Sequence, residues 1–399
     1  MTMTEGALGA LPSYELTPEY REVLDASDRF SREQLYPLQQ KMDDEEWWPE
    51  DVFKKMAEVG YMGVTVPEEY GGAGMDYFAS ALILQSVSKW NPAIGLSYGA
   101  HDNLCVNNIL RNASEEMRRK YLPGLCDGTL TGALGLTEPG AGSDALGSMR
   151  TTAKRDGDHY VLNGSKIFIT NGPVADVLLV YAKTAPELGP KGISAFIVEK
   201  DFPGFSVAQK LIKMGYRGSP TGELVFDNCR VPVENRVGEE NKGVAVVMSG
   251  LDLERTIYAV SSVGMAERAL ELSVDYAKTR QQFGKPIAAF QMIQAKLAEM
   301  YMTLEAMRAY AYRVAAACND MEQGGGGRGE VHKLSAAAIL FCAEGAKKII
   351  DDAVQIHGGM GFMWESEVNR LYRAAKLAEI GAGTNEVRKI IIAEELLRG

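Results

Sequence analysis

Along this chain of 399 residues the hydrophobic period changes twice, and that change limits the folds open to it more than any other feature. Up to about residue 128, apolar residues recur at helical spacing: Tyr20, Val23, Leu24 and Phe30, then Phe53, Met56 and Ala57. From about 129 to 244 the pattern shortens into β-rich runs: His159 to Leu162, Ile167 to Ile169, Val177 to Tyr181 and Leu224 to Phe226. Between them stand Asp156-Gly157, Asn163-Gly164 and Asn171-Gly172, which read as turns or hairpins. Past Val244 helical spacing returns with few breakers, and Gly324 to Gly327 reads as a flexible helix–helix connection. The prediction is a mainly α fold with a central antiparallel β-domain. Residues 1–128 form an N-terminal helical domain, 129–244 a middle β-domain and 245–399 a C-terminal helical bundle domain. A parallel dinucleotide-binding sheet would alternate strands with helices, and this pattern does not.

Composition narrows the partners. A net charge of −11 argues against nucleic acid and anionic membranes, which both require a positive footprint. No apolar run reaches bilayer-spanning length. The N-terminal stretch lacks a basic region followed by an apolar core, so no targeting signal is read there. Five cysteines stand without metal-ligand spacing, which predicts reduced thiols in a bacterial cytoplasm or an organelle matrix, and no metal site.

Three local patterns carry chemistry. In the first, Val244, Val247, Met248, Leu251 and Tyr258 form an apolar helical stripe, and Glu254 falls on it three residues after Leu251. A carboxylate there loses hydration, which raises its pKa toward the range of a general base. Pattern alone equally accommodates a buried ion pair, the commoner outcome. Arg255 cannot supply that pair directly, because adjacent helix residues diverge. The second pattern, Leu134 to Asp144, includes Gly140, Gly142 and Ser143, so its backbone could approach a ligand closely; a tight surface turn explains it as well. The third, Gly381 to Glu386, places Thr384 as an N-cap and Glu386 in a first helical turn. A well-capped helix start accounts for it, although that helix end also suits an anion or a flavin edge.

Taken together, LTEPGAGSD (136–144), FITNG (168–172), RQQFGKPIAAFQ (280–291), QIHGGMGF (355–362) and GAGTNE (381–386) resemble the acyl-CoA dehydrogenase family, in family order, from about Leu16 to Leu397. GLSYGAHDNL (95–104), ENKGV (240–244) and SGLDLER (249–255) look most like the branch of that family acting on isovaleryl-CoA. The resemblance implies a helical domain, a β-barrel-like domain and a four-helix bundle. It implies FAD as cofactor, an acyl-CoA substrate, an electron-transfer flavoprotein as acceptor and a homo-oligomer, usually a tetramer.

Roles follow by resemblance. Leu134, Leu136, Thr137, Gly142 and Ser143 would line the flavin, with Ser143 also touching CoA. Phe168, Ile169 and Thr170 would pack on the ring system, where many relatives have Trp first. Arg280, Gln291, Gln355, Ile356, His357, Gly358 and Gly359 would reach FAD bound mainly by a neighbouring subunit, with Thr384 and Glu386 completing the cofactor site. Leu96, Ala100, Ala245, Asp252, Arg255, Gly381, Ala382 and Gly383 would meet the substrate. Most relatives carry the catalytic Glu where this chain has Ala382, whereas the isovaleryl branch places it at the residue matching Glu254. The expected reaction is removal of the thioester α-proton by Glu254 while the β-hydrogen leaves as hydride to the flavin. An oxyanion site of a ribityl hydroxyl and a backbone N–H would hold the developing charge. Ala245 replaces a Tyr, Ala374 an Asp, and Pro190-Lys191 the usual residues near CoA, so the acyl group stays open. Longer branched or terpenoid acyl chains such as citronellyl, and a flavin oxidase or monooxygenase on the same fold, are the alternatives.

Overall fold

A computed structural model describes residues 16–319 and 327–398. The N-terminal part is helical: α1 (Pro18–Phe30), α2 (Gln39–Glu45), α3 (Val52–Ala57), α4 (Tyr77–Trp90), α5 (Pro92–Gly99), α6 (Asn107–Asn112) and α7 (Glu115–Cys126). Side chains close the helix starts as the sequence dictates. Asp76 accepts from the Ala79 amide at the head of α4, Asn91 from Ile94 at α5, and Ser114 from Met117 at α7. Every residue of α4 is buried, so it forms the centre of this part and not a surface strip. Between α5 and α6 the chain widens into a π-helical turn, Ala100–Val106.

The middle part is one sheet of eight strands: β1 (Gly132–Gly135), β2 (Thr152–Asp156), β3 (His159–Thr170), β4 (Val177–Lys183), β5 (Ile193–Glu199), β6 (Phe205–Lys210), β7 (Thr221–Pro232) and β8 (Arg236–Val237). Their order is β6-β7-β3-β2-β4-β5-β8, with β1 beside β4. Most neighbours are antiparallel, as expected, but β1 runs parallel to β4 and β2 touches β4 in parallel at Thr152. Two long strands, β3 and β7, make the antiparallel backbone of the sheet. Asp156-Gly157 turns β2 into β3, and Asn171-Gly172 ends β3 in a turn, both as predicted. Asn163-Gly164 is not a turn. It lies inside β3 where pairing with β7 slips, and a Cβ on Gly164 would fall 2.5 Å from the Thr151 hydroxyl. Glycine there admits a neighbouring strand rather than reversing the chain.

Helical structure resumes with α8 (Gly243–Thr279), 37 residues long. A short hairpin, β9 (Gln281–Gln282) and β10 (Lys285–Pro286), precedes α9 (Gln291–Asn319). Then come α10 (Glu330–His357), α11 (Gly359–Phe362), α12 (Glu367–Ala378) and α13 (Asn385–Leu397). The predicted glycine connection falls between α9 and α10, where Gly324 to Gly326 lie outside the described residues. Three apolar cores result. One joins the N-terminal helices to α8, α9, α10 and α12, and the other two occupy the faces of the sheet. Through Leu253 and Ile257 helix α8 enters the first core, and through Val246 and Val247 one of the sheet cores, so it stitches sheet to bundle. No described helix is long and apolar enough to cross a membrane.

Candidate active site

On α8, flanking positions are buried on most sides, while Val244, Met248, Leu251, Glu254 and Tyr258 stay partly accessible. The predicted stripe is therefore the half-open face of a core helix, and only Val247 of it is fully interior. Glu254 combines deep placement with residual accessibility, as a group on the wall of a cleft does. Burial pushes its carboxyl up to about 7, against the pull of the Arg255 and Arg388 guanidiniums. Its oxygens make no hydrogen bond or ion pair with any described residue. Tyr77, Tyr181 and Tyr258 also lie within its electrostatic reach, and the Tyr77 hydroxyl donates to the carbonyl of neighbouring Leu253. The ion pair that the pattern left open is absent among the described residues.

Arg255 leads from α8 to the Gly381–Thr384 loop. Its Nε donates to the Ala382 carbonyl at 3.4 Å and its Nη1 to Asp252 at 3.1 Å. Arg388, buried on α13, donates to the carbonyls of Ala378 and Gly381 and clasps the same loop from the other side. Within the loop Ala382 and Gly383 have φ of 55° and 92°, and no described group accepts from the amides of 382, 383 or 384. Thr384 caps α13 by accepting from Val387 at 3.3 Å, and Glu386 stands exposed in the first turn, both as expected. Asp252 needs correction. It is 0 % exposed and its carboxylate is taken up by Arg255, His332, Ser335 and the Gly327 amide, so it stands behind Arg255 and does not face the opening.

The second predicted segment leaves β1 at Leu134 and turns at Glu138–Ala141, where each backbone donates to the other. Leu136 and Thr137 are half-buried, Gly142 and Ser143 exposed, and a Cβ on Gly140 or Gly142 would meet open space. Phe168 holds a left-handed φ of 61° and is 66 % exposed, while Ile169 is buried and Thr170 half-buried. A large ring kept in a strained backbone and in solvent marks a functional surface better than a packing one. Asn171 does structural work: its Nδ2 donates to the carbonyls of Ser97 and Gly132, tying α5 and β1 to the end of β3. His101 closes the same junction. Its Nδ1 accepts from Gly132 N, its Nε2 donates to the Leu125 carbonyl, and burial lowers its pKa to about 4, so it stays neutral. Leu96 and Ala100 are buried on α5 and the following turn, which pack against α8, whereas Ala245 is exposed on the first turn of α8.

Arg280 and Gln291 are exposed at the far end of α8, together with Gln355, Gly358 and Gly359 at the end of α10. His357 is half-buried, its ring stacked on Tyr276, and the Ile356 side chain packs into the core, leaving only its backbone available. Thr279 lies 25 residues beyond Glu254 on one helix, about 38 Å along its axis, so these residues do not share a site with Glu254 inside one chain. The sequence reading missed Arg388, Lys166 and His332. Arg388 had a signal, a cation directly after Val387 on a buried helix face; Lys166 and His332 had none.

The chain matches three family descriptions in sequence: acyl-CoA dehydrogenase N-terminal domain over residues 17–129, middle domain over 133–229 and C-terminal domain over 241–397. It is 47% identical to a mitochondrial isovaleryl-CoA dehydrogenase of Oryza sativa subsp. japonica, covering 93% of this chain and 89% of that protein. Butyryl-CoA dehydrogenase of Megasphaera elsdenii superposes with a TM-score of 0.91 at 38% identity, covering 96% of this chain and 99% of the other. A chain solved in work on the electron transferring flavoprotein of Acidaminococcus fermentans superposes with a TM-score of 0.92 at 39% identity, covering 97% and 100%. With all three domains matched in order around the α8 carboxylate and the capped α13 loop, the chain belongs to the acyl-CoA dehydrogenase family of FAD-dependent oxidoreductases.

Proposed function

We propose that this enzyme dehydrogenates a short, 3-methyl-branched acyl-CoA thioester between Cα and Cβ, with Glu254 as the base. The observation that carries the reading is the Glu254 carboxyl itself: deep, unpaired among the described residues and raised to about 7, beside a loop whose Ala382 cannot take a proton. A base working near neutrality is most effective with its pKa close to the ambient pH. The Cα–H bond breaks, its proton passes to Glu254, and the electron pair enters the new double bond as the β-hydrogen departs with its own pair. The free amides of the 382–384 loop are the donors for the charge that develops on the thioester oxygen.

The residues present fit FAD. Gly140 and Gly142 leave the turn open to close approach, the exposed Phe168 ring offers a flat apolar surface, and the 382–384 loop leading into α13 presents amides with no acceptor among the described residues. When bound, FAD supplies the two-electron acceptor. The turn from Leu134 to Ser143, Phe168 to Thr170 and the Thr384 helix start would hold it in one chain. Arg280, Gln291 and Gln355 to Gly359 would serve the cofactor of a second copy. The 38 Å helix span, about that length by its rise, supports this, as do Phe283 at 91 % and Phe362 at 77 % exposure near those residues. A homotetramer is the assembly proposed, and an electron-transfer flavoprotein the acceptor. Reduced, buried cysteines agree with a cytoplasmic or matrix setting.

Dye-coupled turnover across straight and branched acyl-CoAs tests the reading. The expected result is higher kcat/KM for isovaleryl-CoA than for butyryl-CoA, with slow reoxidation by oxygen in stopped flow. Rapid reoxidation in air would point to an oxidase instead.

A further inference from the structure

Behind the proposed base lies a buried polar cluster that the reaction scheme does not use. Asp252, Arg255, His332 and Ser335 are all buried, where α8 meets the first turns of α10. Asp252 Oδ1 lies 3.1 Å from Arg255 Nη1, 2.7 Å from His332 Nδ1 and 3.4 Å from the Ser335 hydroxyl, and Oδ2 accepts the Gly327 amide at 3.0 Å. Burial would push this carboxyl up, but His332, the Gly327 amide and Arg255 together hold it below its ordinary value. An ionised carboxylate only accepts, so His332 carries its proton on Nδ1 and donates to Asp252. Arg255 Nη1 and His332 Nδ1, 3.3 Å apart, are then two donors on one oxygen and not a bonded pair.

The guanidinium is thus shared: Asp252 takes one edge, the Ala382 carbonyl takes Nε, and Glu254 feels the remaining charge. Groups facing Glu254 are Arg255 and Tyr258 from its own helix, Arg388 from α13, Tyr77 from α4 and Tyr181 from β4. Of the two cations, Arg255 has the larger effect. How strongly Asp252 neutralises Arg255 therefore sets the field at the base, and His332 competes for that carboxylate.

We propose that Asp252 and His332 are positioning residues for proton abstraction, dividing the Arg255 charge between Asp252 and the Glu254–Ala382 side of the site. The proposal rests on the reading that Glu254 is the base. It requires opposite effects from two substitutions. Without the Asp252 charge, Arg255 acts undiluted on Glu254 and lowers its pKa. Without His332, Asp252 pairs more fully with Arg255, and the Glu254 pKa rises.

The test measures kcat/KM against pH for the FAD-loaded oligomer of wild type, Asp252→Asn, His332→Ala and His332→Asn, with Glu254→Gln as reference. The acid limb is expected to move down by about half a unit in Asp252→Asn and up by about half a unit in His332→Ala. It should return toward wild type in His332→Asn, which restores a donor near Nδ1. Limbs that stay put, or move the same way while stability falls, would overturn the proposal and leave a structural cluster. If Asp252→Asn does not fold, the opposed His332→Ala and His332→Asn limbs decide alone. A Glu254→Gln variant with near-normal turnover would instead sink the base assignment, a separate failure.

Discussion

The Lys166 ammonium reaches from β3 to both the Leu136 carbonyl, at 3.1 Å, and the Glu138 carboxylate, at 2.9 Å, so one interior cation holds the turn that presents Gly140 to Ser143. Glu138 also accepts the amides of Arg150 at 2.6 Å and Thr151 at 2.9 Å. Burial would raise this carboxyl, yet Lys166 and those amides keep it below its usual range, while burial brings Lys166 down to about 8. The turn is thus fixed from within, while its rim at Gly140, Gly142 and Ser143 stays exposed.

Lys166→Met should strand Glu138 as a buried, unpaired charge. Removing one partner of such a pair costs about 3–5 kcal/mol. Reduced unfolding midpoint and reduced flavin per chain are both expected, and Glu138→Gln in the same chain should recover part of the loss. Unchanged stability and flavin content would show that the pair does not support the turn.

Glu254→Gln should keep flavin and lower turnover by a factor on the order of 10² to 10⁴. In wild type, kcat/KM should climb with pH and level off above about 7, where Glu254 is ionised. Its folded pKa lies above the unfolded one, so the native state binds extra proton between them. Wild-type stability is therefore favoured at low pH and lost as pH rises through about 7. Denaturant titrations at pH 5 and pH 8 should show Glu254→Gln gaining on wild type at the higher pH; the reverse trend would remove the carboxylate from the buried wall.

Ala245→Tyr should narrow the substrate range. The residue is exposed on the first turn of α8, about 14 Å along the helix before Glu254. A ring there should disfavour longer branched acyl-CoAs such as citronellyl-CoA, by about 1–3 kcal/mol in kcat/KM per excluded methylene. An unaltered profile would place the acyl chain elsewhere.

Arg280→Ala should weaken FAD binding and oligomer stability together, read by sedimentation across dilution and by flavin release. The side chain is exposed in this chain, so monomer stability should be untouched. FAD loss with the oligomer intact and the monomer locally unfolded would defeat the shared site.

Much of this was legible in residues. The period change announced sheet between helices, and Glu254 stood out because a carboxylate on an apolar stripe is a local conflict. Asn163-Gly164 misled, since a glycine that admits Thr151 and one that reverses the chain look alike without the partner strand. Lys166 was hidden because its partners, the Leu136 carbonyl and the Glu138 carboxylate, lie far off in the sequence and only the fold brings them to β3. Asp252 was read as a ligand contact together with its motif neighbours; only its partners from α10 and Gly327, distant in sequence, reveal where its carboxylate points.

The length of α8 has a consequence for mixtures of damaged subunits. On the proposed reading, one chain lends Glu254 to one cofactor and the surroundings of Arg280 to its neighbour's. A chain with Glu254→Gln and a chain with Arg280→Ala are then broken in different compartments of different sites. When they assemble together, one site of each mixed pair inherits both defects and the other inherits neither. Random co-assembly should thus restore about a quarter of the sites from two preparations that are each defective, complementation that a site confined to one chain would not allow.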